Sequence, residues 1–185
     1  TGYCFVAGRT RGDLDPGVGT ITGTSDVFVA KYTTSGNLHK VTQMGVAGKE
    51  TYGWAIAADS KGNHYVTGVT YGDLDGAGRG TLVGGADVFV IKFNSSVEMQ
   101  WLKQTSAAGA YAVGYGIALD STGNCYATGN TNADLDGAGP GEFTGDVNIF
   151  VIAYDKDGTG LWSRQMGSDI DSDDMTANGI AVTRG

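Results

Sequence analysis

Three stretches of this chain repeat one another at a fixed interval. DVFVAKY starts at residue 26, DVFVIKF at 87 and NIFVIAY at 148, each step 61 residues. AIAADSKGNHYVTGVT at 55–70 returns 61 residues later as GIALDSTGNCYATGNT at 116–131. The second half of that segment also opens the chain as GYCFVAGRT at 2–10, and its first half closes it as GIAVTRG at 179–185. The 185 residues therefore hold almost three units, cut inside a pair of strands. A repeat of this length is one supersecondary unit that cannot bury its apolar faces alone and must stack on its neighbours.

Within a unit, short apolar stretches are separated by Gly, Asn and Asp, the pattern of strands and turns. GWAIAAD and YGIALD read as a first strand rich in Gly and Ala, and DSKGN and DSTGN as tight turns. HYVTG and CYATG make a second strand, followed by a long loop with GDLD or ADLD. DVFVIKF is the third strand, with Val88 and Val90 on one face and Phe89 and Ile91 on the other. The turns TTSG, NSSV and DKDG lead to a fourth strand around Val41, Trp101 and Trp162. No stretch of useful length has helical periodicity.

Four antiparallel strands per unit, the first made of small residues, match a β-propeller blade. First strands crowd around a central axis, whereas Phe28, Phe89 and Phe150 suit the wider space between blades. The expected fold is all-β, a propeller segment of about three four-stranded antiparallel blades. Residues 1–185 form a single repeat array, an open arc of a larger propeller and a piece of a longer chain. A β-solenoid usually has shorter coils, and a β-sandwich would not repeat so regularly.

The run D-x-F-V-x-K-[YF], then a turn, a strand ending in QMG (43–45 and 165–167), then I-A-x-D-x-x-G-N-x-Y-x-T-G-x-T, resembles the bacterial beta-propeller repeat called SBBP. The resemblance covers the chain apart from the GDLD loops. It implies a propeller in secreted or cell-surface proteins, beside adhesion-type modules, and implies no catalytic residues. The GDLDGAG loop is longer than the repeat's usual connection, and a full wheel needs more than three blades.

Composition narrows function by exclusion. Twelve basic against twenty acidic residues give a net charge of −8 and a pI near 4.5, the wrong sign for a nucleic-acid surface. No apolar run approaches the ~20 residues of a membrane-spanning helix. Glycine, at 32 residues, far exceeds the usual share of roughly 7% but follows no three-residue period, which excludes collagen. The two cysteines, Cys4 and Cys125, occupy the same strand position a whole unit apart or more, and are expected to be unpaired.

The GDLD loops are the candidate metal sites. Asp13 with Asp15, Asp73 with Asp75, and Asp134 with Asp136 each place two carboxylates one residue apart before glycines, an arrangement suited to calcium. The alternative is that these carboxylates cap turns. Asp169, Asp171, Asp173 and Asp174 form a second ion site, a partner-specific acidic knob or, as is commoner for such a run, a solvated loop. Asp59 and Asp120 open the D-x-x-G-N turns and read as structural, while Gln43, Gln104 and Gln165 read as tethers for loop backbone. Trp54 and Tyr115 share a first-strand place and Trp101 and Trp162 a fourth-strand place, serving either blade packing or stacking on sugars. His39 and His64 lack partners at zinc-ligand spacing, and Asn94 heads a lone glycosylation sequon.

Uniform repeats on an acidic, glycine-rich chain point to a non-catalytic binding or scaffold module mediating protein–protein interaction, extracellular or at the cell surface. Its expected partner is another protein or further blades of the same chain. The alternative is a calcium-dependent adhesion or carbohydrate-binding module. A fragment of a propeller enzyme is the third reading, and would need unlike residues at equivalent positions to face one pocket.

Overall fold

The computed structural model describes residues 2–14, 21–74, 84–132, 134–135, 147–167 and 175–183. Among these, all regular structure is β. Blade 1 contains β1 (Tyr3–Thr10), β2 (Asp26–Thr33) and β3 (Leu38–Met44). Blade 2 contains β4 (Thr51–Ala58), β5 (His64–Thr70), β6 (Asp87–Phe93) and β7 (Met99–Thr105). Blade 3 contains β8 (Ala112–Leu119), β9 (Cys125–Thr131), β10 (Asn148–Tyr154) and β11 (Gly160–Met166). Strands pair antiparallel in chain order within each sheet, and none of the sheets closes on itself. The open propeller-like arc expected from the repeat is therefore present. Blade 1 shows three strands, so β1 is its inner edge, where β4 and β8 stand in the others.

The apolar core lies between blades. Alternation along β6 sends Phe89, Ile91 and Phe93 toward blade 1, where they meet Val27 and Val29 of β2. It sends Val88 and Val90 toward blade 3, where they meet Phe150 and Ile152 of β10. Both faces of the middle sheet are thereby dry, and every residue of β5 is buried. A basic clamp reinforces each junction. Lys31 Nζ donates to the Ser95 carbonyl of blade 2 at 2.7 Å, and Lys92 Nζ to the Lys156 carbonyl of blade 3 at 2.6 Å.

The GDLD segments place a leucine at these junctions. Leu74 is 5% exposed inside the cluster between blades 1 and 2, and Leu135 packs against the cluster between blades 2 and 3. The recurring glutamines hold them, as the sequence suggested. Gln43, Gln104 and Gln165 accept the backbone N–H of Leu14, Leu74 and Leu135 at 3.1, 3.1 and 2.7 Å. Gln43 and Gln104 also donate to Asp26 and Asp87, the acids that open the third strands. Asn148 takes that place in blade 3, and its buried amide has no hydrogen-bond partner among the described residues.

Each complete blade has a bulge in its first strand. Pairing runs Gly53 with Gly68 and then Ala55 with Thr67, skipping Trp54; in blade 3 it runs Gly114 with Gly129 and then Gly116 with Thr128, skipping Tyr115. The bulge brings the Tyr52 carbonyl to 1.8 Å from where a Cβ on Gly68 would stand, and the Val113 carbonyl equally close at Gly129. Only glycine fits opposite such a bulge. Replacing Gly68 with Ala should cost about 1–3 kcal/mol in urea unfolding, a typical overpacking penalty. Gly12→Ala, where nothing lies within 4 Å, should leave the midpoint unchanged.

Candidate functional site

Strands β1, β4 and β8 converge on the inner side of the arc, and there the bulges turn aromatic rings outward. Trp54 is 47% exposed and Tyr71, just beyond β5, 39%. Ring centroids step from Tyr71 to Tyr52 at 6.1 Å, from Tyr52 to Trp54 at 5.9 Å and from Trp54 to Tyr115 at 6.2 Å. The first two steps are edge-to-face, a favourable geometry for aromatic quadrupoles that fixes each ring against the next. From blade 1, the Arg9 guanidinium lies 4.4 Å from the Tyr52 ring centroid and 5.9 Å from that of Trp54. Arg11 pairs with Glu50 at 3.6 Å at the edge of the cluster. Partial burial and the Glu50 carboxylate raise the Tyr52 phenol above its usual pKa, so it stays a neutral donor.

The loops beside the cluster are stitched to both neighbouring blades. Ser25 of blade 1 bridges Glu50, and the Tyr71 N–H of blade 2 donates to the Glu50 carbonyl at 3.0 Å. Ala86 bridges Tyr111 likewise, and the Asn132 N–H donates to the Tyr111 carbonyl at 3.2 Å. The second-to-third-strand loops and the inter-blade loops thus share one rim.

The carboxylates divide differently. Asp13 accepts the Ile21 amide, as a turn cap would. Asp73 has one carboxylate oxygen, Oδ1, buried without a hydrogen-bond partner. Asp134 lies beside Leu135 in blade 3. Asp15, Asp75 and Asp136, with Asp169, Asp171, Asp173 and Asp174, lie outside the described residues. Among the described residues, no three metal-binding side chains converge. Asp59 and Asp120 close their own turns: each accepts the amide and the side-chain N–H of Asn63 or Asn124. Hydrogen bonds from Thr122, Asn124 and Tyr126 more than offset desolvation and hold Asp120 far below the usual carboxylate range.

Cys4 and Cys125 are both free thiols, the first exposed and the second buried. Burial pushes the Cys125 thiol up to about 12, which keeps it protonated and inert. At the same strand position in blade 2, His64 is fully buried between Phe5 at 4.3 Å and Phe93 at 5.3 Å, with Nε2 unpartnered. Trp101 packs at a blade junction, edge-on to Tyr65, whereas Trp162 is 43% exposed on the outer strand.

Residues 40–75 and 100–136 match the beta-propeller repeat family SBBP. Those two segments are similar to the SBBP beta-propeller repeat. Each match runs from a fourth strand across the inter-blade loop to the GDLD motif, so the SBBP unit straddles a blade junction. A search of curated proteins found no match. Arg9, Tyr52 and Tyr71 escaped the sequence reading because they stand at positions where the repeats differ. Their signal is disagreement between repeats: Val69 and Asn130 stand where blade 1 has Arg9, and Arg11 and Asn132 where blade 2 has Tyr71.

The environment of His64 makes stability depend on pH. Desolvation, aided by the Lys31 charge, depresses its pKa below 6.5 in the folded state and outweighs the Gly62 carbonyl and Asp59. The unfolded chain therefore binds a proton that the folded chain resists, so stability is full above pH about 6.5 and falls as pH drops below it. Urea midpoints should decline from pH 7.5 to 5.5 in the native chain. The decline should be shallower in His64→Cys, which installs the residue used by the other two blades.

Proposed function

We propose that the chain is a non-catalytic propeller module that binds a protein partner through the Trp54 cluster, at the cell surface or outside the cell. The observation that carries this reading is the run of rings along the inner side of the arc, exposed at Trp54 and Tyr71, with Arg9 stacked against Tyr52. Trp, Tyr and Arg are the residues that dominate binding energy at protein interfaces. Here each is held by its neighbour, so little rotamer freedom remains to be lost on docking. The stitched loops hold the platform in place, as a scaffold requires.

The test is affinity capture from the envelope fraction of source cells on the immobilised native chain. Trp54→Ala should weaken retention of the captured protein by ~30-fold or more, the loss of about 2 kcal/mol expected at a hot spot. Trp162→Ala, equally exposed but on the outer strand, should leave retention unchanged. Equal loss from both variants would remove the assignment.

A second reading, calcium-dependent adhesion or carbohydrate binding, draws on Asp73, whose unpartnered buried oxygen is the kind of ligand a hard cation takes. It requires the melting midpoint to rise in millimolar calcium, to fall back with chelator, and to lose that response in Asp73→Asn. A midpoint indifferent to calcium dismisses it.

A further inference from the structure

Two lysines face each other across strands β2 and β3. Lys31 and Lys40 are directly opposed in the antiparallel register, a placement in which like charges repel. Lys31 is only 7% exposed. Among the described residues neither ammonium has a carboxylate within ion-pair distance, the ion pairs there being Arg11 with Glu50 and Lys156 with Asp157. A buried charge normally has a counter-charge. On a chain of net charge −8, this pair does not lack one for want of acids.

The lysines line a cleft of about 340 Å³ together with His39, Ser96 and Glu98. Its walls are β2, β3 and the turn between β6 and β7, so it spans the junction of blades 1 and 2. The β2–β3 register shifts between Lys31 and Tyr32 and skips His39, and this bulge lets His39 share the cleft with Lys40. Each ammonium gives one of its three donors to the facing turn. Lys31 Nζ donates to the Ser95 carbonyl at 2.7 Å and Lys40 Nζ to the Ser96 carbonyl at 2.6 Å. Lys31 Nζ also stands 3.8 Å from the Tyr3 ring centroid, and that ring lies 5.4 Å from His39. The Ser96 hydroxyl and the His39 ring have no hydrogen-bond partner among the described residues. Glu98 is engaged elsewhere, accepting Asn94 Nδ2 at 2.8 Å.

The same bulge recurs at Gln100 and Leu161, but its chemistry does not. Lys92 is opposed by Trp101, and Ala153 by Trp162. The like-charge pair and the imidazole belong to blade 1, so unlike residues at equivalent positions gather around one cleft. We propose that this cleft binds a phosphate monoester, with the phosphoryl group between the Lys31 and Lys40 ammoniums. That group carries nearly two negative charges at neutral pH and three strong acceptor oxygens. It supplies a counter-charge to both lysines and an acceptor for the Ser96 hydroxyl. The cleft leaves room for the alcohol that the phosphate esterifies. A sulfate ester has the same shape but a single charge, and satisfies one lysine of the two. The site is separate from the Trp54 cluster and does not rest on its role.

Calorimetric titration of the native chain with methyl phosphate, at pH 7.5 and constant ionic strength, provides the test. One saturable site is expected, with Kd on the order of 1 mM for so small a ligand. The melting midpoint should rise as the site fills. Methyl sulfate should bind the native chain at least ~5-fold more weakly, because it forgoes one charge-assisted contact. Lys40→Gln should weaken methyl phosphate at least ~10-fold, the loss of one such contact, and Lys40→Arg should retain it. Lys61→Gln, the same charge change on an exposed turn, should leave binding unchanged. No saturable binding, equal affinity for the sulfate ester, or equal loss in Lys40→Gln and Lys61→Gln would each overturn the proposal.

Discussion

A blade in this protein has no core of its own. Its sheet is apolar on both faces, so each face is stable only against another blade. Phe89 is buried because Val27 and Val29 stand opposite it, and Phe150 because Val88 and Val90 do. Everything else serves that stacking. The lysines reach across to carbonyls of the next blade, the GDLD leucines fill the junction near the rim, and the glutamines hold the leucines in place. The gradient of burial follows: β5, in the middle blade, is dry along its whole length, while β1 and β11 at the ends are not.

The inner rim depends on a different constraint, the replacement of a side chain by a carbonyl. Gly68 and Gly129 leave room for the Tyr52 and Val113 carbonyls, the bulges form, and Trp54 turns to the surface while Tyr115 stays half-buried beside it. A rigid aromatic platform arises from two absent methyl groups. One other backbone feature is held by packing: Val97 sits at φ 59 in a turn where the equivalents are Gly36 and Gly158. Its side chain is 4% exposed in the cluster between blades 1 and 2, so apolar burial offsets the left-handed strain.

Much of the fold was legible because it repeats and because strand faces alternate. The opposite destinations of Val88 and Phe89 follow from a period of two, and the turn roles of Asp59 and Asp120 from the company of Gly and Asn. The bulges were not legible, since a bulge is a relation between two strands and neither carries the signal alone. Trp54 and Tyr115 stood out as an equivalent pair, but their gathering with Tyr52, Tyr71 and Arg9 did not, for that reason and because Arg9 lies more than forty residues before its rings. In GDLD the eye goes to the carboxylates, yet the side chain that enters the junction of blades 1 and 2 is the leucine, Leu74. A four-residue motif does not say which of its side chains will face a neighbouring blade.

Near-identity among the strands carries a cost during folding. The third strands of blades 1 and 2 differ at only two positions of seven, so each is a credible partner for the other's neighbours. Chains built this way are prone to exchange elements in the wrong order. The position of Cys4, His64 and Cys125 breaks that degeneracy. The imidazole stacks between Phe5 and Phe93. The junction of blades 1 and 2 is thereby chemically distinct from that of blades 2 and 3, where Cys125 takes the equivalent place beside Tyr65 and Tyr154.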